Sequence, residues 1–166
     1  DDYLKEDCLE TYINNIVTLN KYSVTSNSNL RGLAGRNYAI SNGSYALGVD
    51  ENGSLCSIPI MVQSNGNITA DEALCRWTLT KYSTSYYNYE YYISTTVNGA
   101  TYYLMLSGGA LQLTTSTASR TRFTFAYTGG NVTARNGNTS YINVTESGVS
   151  VGSSMALSLH TLPTGE

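Results

Sequence analysis

A chain of 166 residues is long enough to bury one hydrophobic core without disulfide or metal staples. Only 13% of it is charged and its net charge is −3, so it lacks the basic stripe with which proteins displace counterions from nucleic-acid phosphates. Its longest apolar stretch, residues 57–62, is interrupted by Pro59 and falls far short of the roughly 20 residues that a membrane-spanning helix needs.

The opening Asp1-Asp2-Tyr3 carries neither a basic nor an apolar leader segment, and the sequence reads as a mature protein or a piece of a longer one. Between residues 3 and 19, Leu4, Cys8, Leu9, Tyr12, Ile13, Ile16 and Val17 recur at helical spacing opposite Lys5, Glu6, Asp7 and Glu10. That periodicity predicts an amphipathic helix, capped by Asp1 or Asp2, that packs on the domain that follows or on a neighbouring domain of a longer chain. A partner-binding helix is the sharper alternative. Residues 23–35 are rich in Ser, Asn and Gly and read as a linker, so residues 1–36 form a helix and linker.

From there the chain repeats itself. Three Asn-Gly pairs, Asn42-Gly43, Asn98-Gly99 and Asn136-Gly137, each follow a short β-like run and precede another. Asn-Gly suits a type I′ hairpin turn, which needs φ > 0 at both central residues. A second glycine turn follows each pair, at Asn52-Gly53, Gly108-Gly109 and Ser147-Gly148, then a third run, a polar loop and a fourth run. The first unit holds residues 38–40, 45–49, 58–63 and 76–79, with an insertion at 64–73. The second holds 91–93, 102–106, 111–113 and 122–125, and the third 132–134, 141–144, 149–151 and 156–159. Fourth runs alternate with period two, Trp77/Leu79, Phe123/Phe125 and Leu157/Leu159, so one face of each belongs to a shared core.

Three four-stranded units, each with a tight first hairpin and a large apolar residue in its last strand, resemble the β-trefoil across residues 37–162. The resemblance implies an all-β fold in which six strands form a short barrel and three hairpins cap it, followed here by a tail at 163–166. A β-sandwich of eight to ten strands is the alternative that regular short strands also suit. Ricin-type trefoil lectins carry Gln-x-Trp near the fourth strand. Here Cys75, Thr121 and Met155 occupy the Gln slot before Trp77, Phe123 and Leu157, so the lectin site is not carried over and those three residues are expected to be core plugs.

Candidate binding residues therefore lie elsewhere. The 15 tyrosines include a cluster, Tyr86, Tyr87, Tyr89, Tyr91 and Tyr92, in and after the connection between the first two units. Tyrosine joins an apolar ring to a polar hydroxyl at low entropy cost. Tyr86, Tyr87 and Tyr89 precede the strand and are expected to stack on a sugar, with Asn88 and Glu90 reaching its hydroxyls, while Tyr91 or Tyr92 turns inward. Ordinary strand and surface tyrosines are the plainer reading. Asp50 and Asn52, with Glu51, are a second candidate set that turn formation explains equally well. Binding through such a shallow, weakly charged patch is expected between millimolar and micromolar, with little salt dependence.

Signals for catalysis are weak. Residues 148–152 match Gly-x-Ser-x-Gly around Ser150, but that motif needs a strand-to-helix elbow, and this segment reads as strand. His160, the single histidine, is expected at a strand position facing solvent or an end of the barrel. Neither a phosphate-binding glycine loop nor zinc-type cysteine spacing occurs, so no cofactor is expected. Cys56 and Cys75 fit either a disulfide or separate buried thiols. Six Asn-x-Ser/Thr sequons are mostly what an Asn-, Ser- and Thr-rich chain produces by coincidence, and the C-terminal Leu162-Pro163-Thr164-Gly165, near a sortase signal but lacking its variable residue, is a faint pointer to a bacterial surface.

Together these residues suggest a non-catalytic binding module of a secreted or cell-surface protein, with a glycan or protein ligand. A trefoil protease inhibitor, presenting the insertion 64–73 or the connection 83–90, and a structural spacer in a larger adhesin are the alternatives.

Overall fold

The computed structural model describes residues 16–83 and 89–161. The expected helix up to residue 15, the residues Tyr86, Tyr87 and Asn88, and the tail from Leu162 lie outside the described residues. What is described is all-β, a single curled antiparallel sheet. Its strands are β1 (Ile16–Lys21), β2 (Asn37–Ser41), β3 (Tyr45–Val49), β4 (Leu55–Pro59), β5 (Met61–Val62), β6 (Ile68–Asp71), β7 (Trp77–Lys81) and β8 (Glu90–Val97). They continue with β9 (Ala100–Ser107), β10 (Ala110–Thr114), β11 (Arg122–Thr128), β12 (Asn131–Asn136), β13 (Ser140–Thr145), β14 (Gly148–Gly152) and β15 (Ser158–Thr161). Short 3-10 helices occupy Asn27–Gly32 and Glu72–Leu74.

Pairing follows the repeats. β2 lies between β7 and β15, β7 pairs with β8, β8 with β11, and β11 with β12. Val132 and Leu157 exchange two backbone hydrogen bonds, of 3.0 and 2.7 Å, and so link β12 to the segment entering β15. β3/β4, β9/β10 and β13/β14 form antiparallel hairpins. The alternating residues of the fourth strands meet in one core: Trp77, Leu79, Phe123, Phe125, Leu157 and Leu159 are all fully buried there with Ile40, Leu47, Leu104 and Ile142. Burying each such side chain is worth roughly 1.5–3 kcal/mol, which holds the curled sheet together.

Several local expectations need correction. Residues 16–21 are strand β1 rather than the end of a helix. β1 pairs with β6 from Ile16 opposite Asp71 to Leu19 opposite Ile68, and with β15 at Asn20 and Lys21. The β-branched Ile16, Val17 and Thr18 suit a pleated strand, and the neighbouring edges supply partners for their backbone groups. Leu19 then enters a second, smaller core with Ala39, Ala46, Ile68, Ala70 and Cys75. The insertion 64–73 is likewise no projecting loop, because most of it is β6 and a 3-10 turn, with Ile68 and Ala70 buried. In the expected linker, Leu30 and Leu33 are fully buried. The Tyr91 hydroxyl docks that segment, donating to the Leu30 carbonyl and accepting from the Leu33 amide at 3.3 Å.

Only one of the three Asn-Gly pairs has positive φ at both residues: Asn98 at 51° and Gly99 at 82°, between the paired Val97 and Ala100. Asn42 instead folds its side chain back, its Oδ1 accepting from the amides of Ser44 and Tyr45 at 2.7 Å each, while its Nδ2 donates to the Val144 carbonyl. Asn136 donates its Nδ2 to the Arg122 carbonyl at 3.0 Å. Asn98-Gly99 is a two-residue loop between the paired Val97 and Ala100, whereas Asn136 is itself paired with Ser140, so its loop begins at Gly137. Cys56 and Cys75 are free thiols, one half-buried and one buried, and not a disulfide.

Candidate functional site

Of the expected site residues that are described, Tyr89 is half-buried beside the main core. Its hydroxyl accepts from Arg31 Nε and Nη2 at 3.2 and 3.1 Å, tying it to the 3-10 helix at Asn27–Gly32. Tyr91 is the ring that turns inward, packed edge-on against Phe125 with centroids 5.7 Å apart. Asp50 holds its own turn: Oδ1 accepts from the amides of Asn52 and Ser54 at 2.9 Å each. It also lines a cavity of about 280 Å³ with Glu51, Ala73, Thr96 and Asn98, while Asn52 is exposed beside it. Tyr89 does not line that cavity.

A more developed surface lies where β7, β8, β11 and β12 meet. Tyr92 and Arg122 face each other across the β8/β11 pairing. Next to Tyr92 stands the half-exposed Tyr82, rings edge to face at 5.9 Å. Two guanidinium groups stack on this pair: Arg120 Cζ lies 3.7 Å from the Tyr92 centroid, and Arg122 Cζ 4.1 Å from that of Tyr82. Arg120 also lies 5.4 Å from the Tyr103 ring. Each contact is a cation–π interaction worth about 0.5–2 kcal/mol, depending on desolvation. Arg122 is further held by an ion pair to Glu90 at 2.9 Å. These side chains, with Leu106, Thr121 and Asn136, line an open basin of about 360 Å³.

The two arginines differ in one respect. Arg122 has a carboxylate partner, whereas Arg120 Nε is buried without any hydrogen-bond acceptor among the described residues. Sequence reasoning missed this surface because its parts are scattered along the chain. The one local hint was Arg120-Thr121-Arg122, two arginines flanking the threonine that stands in the lectin Gln slot.

Of the two placements expected for His160, at solvent or at an end of the barrel, the first is excluded, because the residue is only 3% exposed. Its Nε2 lies 2.9 Å from the Gly66 carbonyl oxygen, and Nδ1 is buried without a partner. Ser150 is exposed on β14 and has no hydrogen bond to it, so the two do not form a nucleophile–base pair. Burial pushes the imidazole pKa down; the Gly66 carbonyl opposes this, and the Lys21 ammonium adds to it. The folded pKa is thus below the unfolded value of about 6.5. Below that pH the unfolded chain binds the extra proton, and stability falls by at most about 1.4 kcal/mol per pH unit until the folded imidazole also protonates. Chemical denaturation at pH 7.5 and 5.5 should show this loss in the wild type and a flatter response in His160→Gln. An equal response in both would place the proton uptake elsewhere.

Among the described residues, no three His, Cys, Asp or Glu side chains gather to hold a metal ion, and no helix is long and apolar enough to cross a membrane. No protein-family model matches the chain, and no curated protein shows a significant match to it.

Proposed function

We propose that this chain is a non-catalytic β-trefoil binding module, acting outside the cell or at its surface, whose ligand is a glycan. The trefoil reading is supported by the order of pairing, β15, β2, β7, β8, β11 and β12 in turn, and by an isolated bridge from Val132 of β12 to Leu157 just before β15. It is also supported by the hairpins β3/β4, β9/β10 and β13/β14 and by Trp77, Phe123 and Leu157 buried at matching positions. The observation that carries the binding reading is the basin of stacked Tyr82, Tyr92, Arg122 and Arg120. The exposed part of the Tyr82 ring can cover the apolar side of a sugar, and the polar atoms around it can meet the sugar's hydroxyls.

Wild-type protein on a glycan array should retain a restricted set of sugars at micromolar to millimolar affinity, as expected for a shallow site. A Tyr82→Ala/Tyr92→Ala variant should lose them. A Tyr86/Tyr87/Tyr89 triple alanine variant, run in parallel, measures the share of the tyrosines first singled out in the sequence. Failure to retain any glycan would overturn the glycan reading, and inhibition of serine or cysteine proteases in its place would establish the inhibitor alternative.

A further inference from the structure

Among the described residues, no hydrogen-bond acceptor meets Arg120 Nε. Its guanidinium is stacked on Tyr92 at 3.7 Å and flanked by Tyr103 at 5.4 Å, so its flat face is occupied. The Nε is buried, a donor left uncompensated within the described residues. A planar guanidinium whose face is stacked presents its edge, and that edge matches two oxygens of one acid group in parallel hydrogen bonds. Around it, Thr121, Asn136 and the Tyr82 ring line the same basin, which at about 360 Å³ lies within the roughly 300–1,000 Å³ range of small-ligand sites.

We infer that this basin takes an acidic sugar, its carboxylate on the edge of Arg120 and its ring against Tyr82. The inference rests on the glycan reading above and specifies the ligand's class. Charge decides between acid types. The cations lining the basin are Arg120 and Arg122, and Arg122 is already paired with Glu90. The chain as a whole carries −3. A densely sulfated chain would need a wider field of cations and would meet repulsion from Glu90 and from the net charge, whereas a single carboxylate needs one well-oriented partner. The contact also gives binding a modest salt dependence, in place of the insensitivity expected of tyrosines alone.

Matched ligands isolate the carboxylate. Isothermal titration would compare a uronic-acid oligosaccharide with its carboxyl-reduced form, and sialyllactose with lactose, against wild type, Arg120→Gln and Arg120→Lys. Thermal melts confirm that each variant folds. Wild type should prefer at least one acidic member about tenfold or more. Arg120→Gln should lose that preference while keeping its affinity for the neutral member. Arg120→Lys, which keeps the charge without the fork, should retain only part of it, and it carries the test should Arg120→Gln fail to fold. Equal binding of acidic and neutral members overturns the inference and leaves the glycan reading standing, as does an acidic preference that survives in both variants. Tighter binding of a sulfated oligosaccharide than of the uronate overturns the carboxylate assignment. Absence of binding to every member overturns both.

Discussion

Replacing Trp77 by alanine is expected to remove about 3–5 kcal/mol of stability, the usual cost of emptying a buried aromatic site. The ring is fully buried among the apolar residues of the main core, and its Nε1 donates to the Leu47 carbonyl at 2.8 Å. Alanine therefore leaves both a void and an unsatisfied buried carbonyl. Trp77→Phe separates the two effects: it keeps most of the volume but orphans the Leu47 oxygen, at about 1–3 kcal/mol. Domains of this size are stable by about 5–15 kcal/mol, so the alanine variant would lose a large share of its margin. Urea unfolding followed by circular dichroism should show a lower midpoint at an unchanged slope. Circular dichroism is needed because Trp77 is the single tryptophan and its fluorescence disappears with it. A loss below about 1 kcal/mol would mean that the core does not depend on this ring.

Gly48→Val is expected to be the next most damaging change, at the upper end of the roughly 1–3 kcal/mol that overpacking costs. Gly48 has ordinary negative φ, so the constraint is space rather than backbone conformation. A Cβ placed there would lie 2.3 Å from Ile58 Cγ1 and 2.8 Å from the Leu74 carbonyl oxygen. Ile58 can turn aside; the Leu74 backbone, at the end of the 3-10 turn that precedes Cys75, cannot do so without moving that segment. Trimming the movable neighbour should therefore give only partial rescue. The double variant Gly48→Ala/Ile58→Ala should stay less stable than Ile58→Ala alone. Full rescue would show that Leu74 yields freely and that the close approach carries no constraint.

The tyrosine cluster illustrates how far local reading reached. Adjacency in the chain suggested that Tyr86, Tyr87 and Tyr89 act together at a ligand while Tyr91 or Tyr92 turns inward. Yet Tyr89 is tied to Arg31, and Tyr91 is in the core holding the 3-10 helix. Tyr92 turns instead towards Arg120, nearly thirty residues further along the chain. In a strand, neighbours in sequence point to opposite faces, so a run of like residues divides between core and surface. The Arg120 basin draws on four separate strands and the segments flanking them, and no sequence window contains it.

What the sequence determined by itself is the period-two alternation of the fourth runs, and Trp77/Leu79, Phe123/Phe125 and Leu157/Leu159 are buried where that alternation placed them. Tertiary structure decided the rest. Residues 16–21 carried helical spacing and became β1, because pairing with β6 and β15 outweighed a weak local preference. The side chains of Asn42 and Asn136 found partners distant in sequence, the carbonyls of Val144 and Arg122. His160 was taken inside because the Gly66 carbonyl, on the turn of the insertion, reaches its ring. Each of these outcomes depends on a contact between segments far apart along the chain, which only the folded arrangement supplies.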